Sequence, residues 1–278
     1  MAKATDNPGP IGIFDSGIGG LTVFREIVSR LPEYDFVYLG DNARVPYGTR
    51  SFETVYHYTW ECVQHLFSMG SRLVVIACNT ASAKALRTIQ QRDLVKIDQL
   101  YRVLGVIRPT TEIVGMHSKT RHVGILATQG TVISMSYVIE INKFFPDIKV
   151  WQEACPMWVP LVEANEHTSP GADYFVEKNV TSLLKKSPDI DTIILGCTHY
   201  PLLVDKIRQF LPKEIKLLVQ GPIVAESLAD YLQRHPEIDA LCTRGATRTF
   251  YTTESTEDFD DKAQRFLGSR VESRHLQL

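Results

Sequence analysis

Two cysteines stand where acid–base chemistry could be done. Cys78 follows the apolar run Leu73-Val74-Val75-Ile76-Ala77, and Cys197 follows Thr192-Ile193-Ile194-Leu195-Gly196. Each is succeeded by polar residues that open a helical stretch: Asn79 and Thr80 in one case, Thr198 and His199 in the other. A thiol at a helix N-terminus meets unpaired N–H groups and the positive end of the helix dipole, both of which favour the thiolate. Asn79 or Thr80 is placed to cap the helix after Cys78. Pro201 suits the first turn after Cys197, where a missing N–H costs little. Two thiols in matched settings imply a paired acid and base at one small-molecule site.

The chain has five cysteines, an odd count. No C-x-x-C pair and no zinc-like His/Cys spacing occurs, so neither a redox pair nor a metal site is expected. Cys62 lies inside the helical stretch Thr54 to Phe67 and reads as core. Cys155 and Cys242 have no strand-end setting and read as structural.

Other residues share the strand-end position, which is where open parallel sheets bind ligands. Asp15, Asp41 and Thr128 each close an apolar run. Asp15-Ser16-Gly17-Ile18-Gly19-Gly20 is a Gly-rich turn before a helix. It lacks Gly-Lys-Ser/Thr and does not have G-x-G-x-x-G spacing, and Asp15 would repel a phosphate. It reads as a helix cap with packing glycines, and Asp15 suits an ammonium group or a general-acid helper. Pro46-Tyr47-Gly48 is a turn on the ligand side, able to offer backbone to a ligand. His199 is placed to set the protonation of Cys197. Glu163, read alone, is a solvated helix residue.

These residues need a scaffold, and the hydrophobic pattern supplies one. Apolar runs at 11–14, 36–39, 73–77 and 103–107 alternate with helical patterns at 21–31, 52–67 and 81–91. The second half repeats the theme, with strands at 122–127, 192–195 and 217–219 and helices at 134–145, 202–211 and 224–232. A strand at 247–253 and a short helix at 261–267 complete the tail. This alternation predicts an α/β chain with mostly parallel, doubly wound sheets. Val74–Thr80 resembles Ile193–His199, and Gly12–Gly17 resembles Gly124–Thr128, in the same order and at similar separation. Two structurally related halves are therefore expected.

With 278 residues, 44% of them hydrophobic, the chain can bury one large core or two smaller ones. Thirty Lys and Arg against 32 Asp and Glu leave a net charge of -2, which gives no basis for binding nucleic acid or an anionic membrane. The apolar runs are too short to span a bilayer. Met1 to Pro10 is polar, without the apolar region of a secretory signal, so a cytoplasmic protein with free thiols is expected.

Four segments together resemble the glutamate racemases, of the aspartate/glutamate racemase superfamily. They are Gly12-Ile13-Phe14-Asp15-Ser16-Gly17-Ile18-Gly19-Gly20-Leu21-Thr22-Val23, Asp41-Asn42-Ala43-Arg44-Val45-Pro46-Tyr47-Gly48, Ala77-Cys78-Asn79-Thr80-Ala81-Ser82, and Leu195-Gly196-Cys197-Thr198-His199-Tyr200-Pro201-Leu202. The resemblance implies two pseudo-symmetric α/β domains with the active site in the cleft between them. The first would comprise 1–104 plus 214–278 and the second 105–213. It implies interconversion of L- and D-glutamate without pyridoxal phosphate or metal, with Cys78 and Cys197 as the catalytic pair. Cys78 would deprotonate D-glutamate and Cys197 L-glutamate, with Asp15 and His199 assisting. Asp15, Ser16, Tyr47, Gly48, Asn79, Thr80, Thr198 and His199 would contact substrate, and Thr128, Thr131 and Glu163 match further pocket positions. A homodimer in a bacterial cytoplasm, supplying D-glutamate for peptidoglycan, is the family expectation. The chain departs from the pattern at Arg108 and in a Gln90–Gln99 extension. Residue types alone leave three rivals: an aspartate racemase or other cofactor-free isomerase, a cysteine hydrolase or amidase, and a ligand-binding protein.

Overall fold

The computed structural model describes residues 7–97 and 100–278. Most of the N-terminal stretch expected to carry no secretory signal, and two residues of the Gln90–Gln99 extension, lie outside them.

The strands in chain order are β1 (Ile11–Asp15), β2 (Phe36–Gly40), β3 (Leu73–Ile76), β4 (Arg102–Gly105), β5 (His122–Ala127), β6 (Lys149–Ala154), β7 (Thr192–Gly196), β8 (Lys216–Leu218), β9 (Arg248–Thr252) and β10 (Ser273–His275). The helices are α1 (Leu21–Arg30), α2 (Phe52–Ser68), α3 (Asn79–Lys84), α4 (Leu86–Thr88), α5 (Ile107–His117), α6 (Gln129–Ser134), α7 (Ser136–Phe144), α8 (Trp158–Glu163), α9 (Pro170–Lys186), α10 (Val204–Phe210), α11 (Gln220–Arg234), α12 (Pro236–Asp239) and α13 (Thr256–Leu267).

The chain divides into two compact units, Met1–Val106 with Gly221–Leu278, and Ile107–Gln220. The first holds a six-stranded sheet in the order β10-β9-β2-β1-β3-β4, the second a four-stranded sheet in the order β6-β5-β7-β8. Every pairing is parallel. Within each unit four strands run in one pattern, β2-β1-β3-β4 and β6-β5-β7-β8. The winding reverses between β1 and β3 and again between β5 and β7, so each unit has its own switch point. The central strands β1, β2, β3 and β7 are buried along their whole length, which is why they read as unbroken apolar runs.

The structure corrects several sequence expectations. The strand placed at 103–107 ends at Gly105, and Ile107 already opens α5. The helix placed at 81–91 starts at Asn79 and breaks at Ala85, then continues as α4 and a π-helical turn over Ile89–Asp93. The helix placed at 134–145 is two, because Met135 adopts a left-handed conformation at φ 56°. β6 and β10 were not expected at all. Both lie at sheet edges and carry polar side chains facing solvent, so neither shows an apolar run. Arg108, on α5, pairs with Glu112 at 2.8 Å and lies over the Phe144 ring. No helix among the described residues is long and apolar enough to cross a membrane.

Candidate active site

In the first unit Asp15 ends β1, and Cys78 follows Ala77, whose N–H reaches the Phe14 carbonyl beyond the paired part of β3. Phe14 pairs with Ile76, so two residues further along, Ser16 and Cys78 come level at the switch point. Ser16 Oγ stands 3.2 Å from Cys78 Sγ. Cys78, not Asn79 or Thr80, is the cap of α3: its sulfur accepts from the Ala81 N–H at 3.4 Å. Asn79 and Thr80 instead form the first turn of that helix, buried.

The Asp15–Gly20 loop does not cap α1 with a side chain; Gly20 holds the cap position. The Asp15 carboxylate closes the turn by accepting from the Gly17 N–H at 3.1 Å, and Tyr38 Oη donates to the Gly17 carbonyl at 2.9 Å. Gly20 is needed for this approach, because a Cβ there would lie 2.5 Å from the Asp15 Cβ.

Asp41 follows the end of β2 directly and is fully buried. It accepts from Arg44 Nε at 2.6 Å, from Thr253 Oγ1 at 2.9 Å and from Tyr47 Oη. Tyr47 therefore turns its side chain inward, against Phe14 and Tyr58, and Asp41 acts as the anchor of the turn Tyr47–Thr49. That turn packs on α3, so Tyr47 and Gly48 sit beside the helix that Cys78 begins. Arg44 also reaches Glu61 and the Cys62 sulfur. The sequence had no signal for this role of Arg44 beyond its place in the motif.

In the second unit Ala127 pairs with Gly196, which sets Thr128 and Cys197 level just past the ends of β5 and β7. Thr128 caps α6, accepting from the Thr131 N–H at 3.3 Å. Cys197, Thr198 and His199 are all buried and lead into a 3-10 turn, Tyr200–Leu203, with Pro201 in its first turn. His199 Nδ1 stands 3.9 Å from Cys197 Sγ, and its Nε2 stands 3.0 Å from Glu163 Oε1. Glu163 is thus no merely solvated helix residue. It closes α8, which is locked in place by the edge-on contact of Trp158 with Tyr200 at 4.8 Å. Burial alone would lower the His199 pKa. Hydrogen bonds to Cys197 and Glu163, with their charges, override it and raise the value to about 10.

None of the five cysteines, all of them described, is in a disulfide. Burial pushes the thiols of Cys62 and Cys155 well up and that of Cys242 up to about 12. One correction concerns Cys155: it does follow a strand, β6. That strand is an edge strand away from the switch point, and the Cys155 thiol points back to the Glu153 carbonyl. Among the described residues no cluster of three or more His, Cys, Asp or Glu is arranged to hold a metal ion.

Each unit thus presents, at the same point of the same strand pattern, a thiol level with a hydroxyl-bearing residue and followed by a helical turn. The sequence model of the Asp/Glu/Hydantoin racemase family matches residues 11–228. The glutamate racemase of Streptococcus gordonii is 39% identical over 272 residues, covering 97% of this chain and 98% of the relative. Among solved structures, glutamate racemase isoform RacE1 from Bacillus anthracis matches with a TM-score of 0.88 at 33% identity, over 97% of this chain and 98% of that one. The glutamate racemase of Francisella tularensis subsp. tularensis SCHU S4, solved in complex with D-glutamate, matches with a TM-score of 0.86 at 30% identity, over 98% of each chain.

Proposed function

The chain belongs to the Asp/Glu/Hydantoin racemase family, and on that premise we propose that it interconverts L- and D-glutamate with Cys78 and Cys197 as its two acid–base groups. One observation carries this reading: a thiol at the switch point of each unit, in the same strand pattern. Near full-length similarity to proteins named glutamate racemase supports the substrate.

Inverting one carbon requires a proton to leave one face of Cα and another to arrive at the opposite face. One thiol serves each face. The cycle starts with one thiolate and one thiol. The thiolate takes the α-proton, the thiol delivers its own, and the roles are then exchanged for the reverse reaction. Cys78 takes the proton of D-glutamate and Cys197 that of L-glutamate. No pyridoxal phosphate or metal is needed.

The α-proton is weakly acidic, so charge arising at Cα must be stabilised as it forms. Asn79, Thr80 and Thr198, with helix-opening N–H groups, bind the α-carboxylate, and Asp15 with Glu163 keeps the ammonium protonated. Ser16, Tyr47, Gly48 and His199 complete the substrate contacts. The Ala81 N–H and the Ser16 hydroxyl are donors for a Cys78 thiolate. A His199 imidazolium, held by Glu163, does the same for Cys197. The protein works as a homodimer in a bacterial cytoplasm and supplies D-glutamate for peptidoglycan.

Purified protein incubated with L-glutamate in D2O, without added cofactor, tests the reading. Decay of optical activity with deuterium entering at Cα is the expected result. A covalent acyl adduct on a single essential thiol would instead identify a cysteine hydrolase. Absence of α-proton exchange with glutamate overturns the proposal.

A further inference from the structure

Gly196, the residue before Cys197, packs tightly against Ala127 and Tyr137. A Cβ there would stand 3.1 Å from Cε2 and 3.3 Å from Oη of Tyr137. Tyr137 lies on α7, fully buried, so its ring edge supports the last residue of β7 directly. Its hydroxyl accepts from Gln220 Nε2 at 2.9 Å, and the same amide donates to Thr110 Oγ1 at 3.2 Å. Gln220 is 4% exposed and Thr110 fully buried.

The positions of these partners in the chain are notable for what they join. Gln220 is the last residue of the second unit, and α11 begins with it. Thr110 lies on α5, the helix that begins as the chain enters that unit at Ile107. One buried amide therefore ties both ends of the unit's chain to the tyrosine that supports the Cys197 strand end. Buried amide hydrogens are costly to leave without acceptors, so the arrangement of the three side chains is strongly specified. Burial, and then the charge of Cys197, pushes the Tyr137 phenol well up, so Tyr137 remains a neutral hydroxyl beside a Cys197 thiolate.

We propose that Tyr137 and Gln220 are positioning residues for Cys197: the Gln220 amide orients Tyr137, and Tyr137, packed on Gly196, sets where the Cys197 sulfur stands. The inference rests on the reading of Cys197 as an acid–base thiol. Near-attack geometry is sensitive to displacements of an ångström or less, so a loosened strand end is felt in the chemical step before it is felt in binding.

The test uses Tyr137→Phe, Gln220→Leu and the double variant in the full chain. Tyr137→Phe keeps the ring and removes only the hydroxyl, so it carries the test if Gln220→Leu fails to fold. We expect kcat to fall about tenfold in Tyr137→Phe with KM held within about twofold. The double variant should be no worse than the weaker single, because the two side chains act as one unit. A second readout is independent of turnover: alkylation of each cysteine by iodoacetamide, followed peptide by peptide. The Cys197 rate should shift by about threefold or more while the Cys78 rate stays at the parent value. Unchanged Cys197 alkylation together with unchanged kcat in Tyr137→Phe overturns the proposal, as do effects of the two substitutions that simply multiply. A lowered Tm with both readouts unmoved also overturns it, leaving a structural role alone. If the parent protein fails to racemise glutamate, the functional reading falls, while the alkylation pattern still decides whether Tyr137 positions Cys197.

Discussion

Glu163 Oε1 lies 3.0 Å from His199 Nε2, on the side of the ring away from Cys197. The carboxylate and the sulfur together hold this buried histidine protonated to about 10. Its folded value is raised above the ordinary one, so the stability it contributes is complete below about pH 6.5 and is lost as pH rises through about 10.

Glu163→Gln removes the charge that holds that proton. The His199 pKa falls, and the alkaline limb of the kcat profile should move to lower pH, with kcat near neutrality down by about ten- to a hundredfold. A pH–rate series for parent and variant measures this. An alkaline limb in the same place for both would show that Glu163 does not act through His199.

Cys78→Ala and Cys197→Ala should each lower racemisation by at least about a thousandfold. The two enantiomers have equal free energy, so kcat/KM must be equal in the two directions for every variant. Directional rates therefore cannot assign the thiols, but exchange without inversion can. With Cys197→Ala, the remaining Cys78 should wash deuterium into D-glutamate in D2O, and Cys78→Ala should do so for L-glutamate. Proton NMR on the resolved enantiomers reads the result. The opposite pattern would reverse the assignment.

Ser16→Ala deletes the hydroxyl 3.2 Å from Cys78 Sγ without touching the strand that carries the thiol. One hydrogen bond to sulfur is worth about 0.5–1.5 kcal/mol, so kcat should drop by roughly two- to twelvefold. Thermal unfolding should move little. A large loss of Tm would mean that Ser16 serves the loop instead.

Gly20→Ala looks harmless by backbone criteria, since Gly20 has φ -58° at the start of α1. Its added Cβ would meet the Asp15 Cβ at 2.5 Å and Tyr38 Oη at 2.9 Å. Overpacking of this kind costs about 1–3 kcal/mol. We expect a lower midpoint in urea together with a raised KM, because Asp15 is displaced. A variant as stable and active as the parent would contradict the close packing described for that turn.

Much of this was written locally. Cys78 and Cys197 were recognisable because an apolar run followed by polar helix-opening residues is a short-range pattern, and the buried central strands show it without interruption. The edge strands β6 and β10 were invisible for the converse reason: solvent accepts polar side chains there, so no hydrophobic period marks them. Missing β6 also hid the strand-end place of Cys155. The sequence points to Asn79 or Thr80 as the cap of α3 because oxygen-bearing residues are the usual caps, whereas the Cys78 sulfur fills that role.

What the amino-acid order alone determined was the placing of two thiols at strand ends, with their flanking motifs. It also determined the alternating α/β scaffold, since periodicity and burial are properties of each segment. Only the tertiary structure decided which distant groups stand near each thiol. Ser16 meets Cys78 because β1 and β3 pair in a particular register. Glu163 meets His199 because Trp158 packs on Tyr200, and Tyr137 meets Gly196 because Tyr137 and Thr110 share the buried Gln220 amide. Those partnerships depend on strand order and side-chain packing between segments far apart in the chain, which no local pattern encodes.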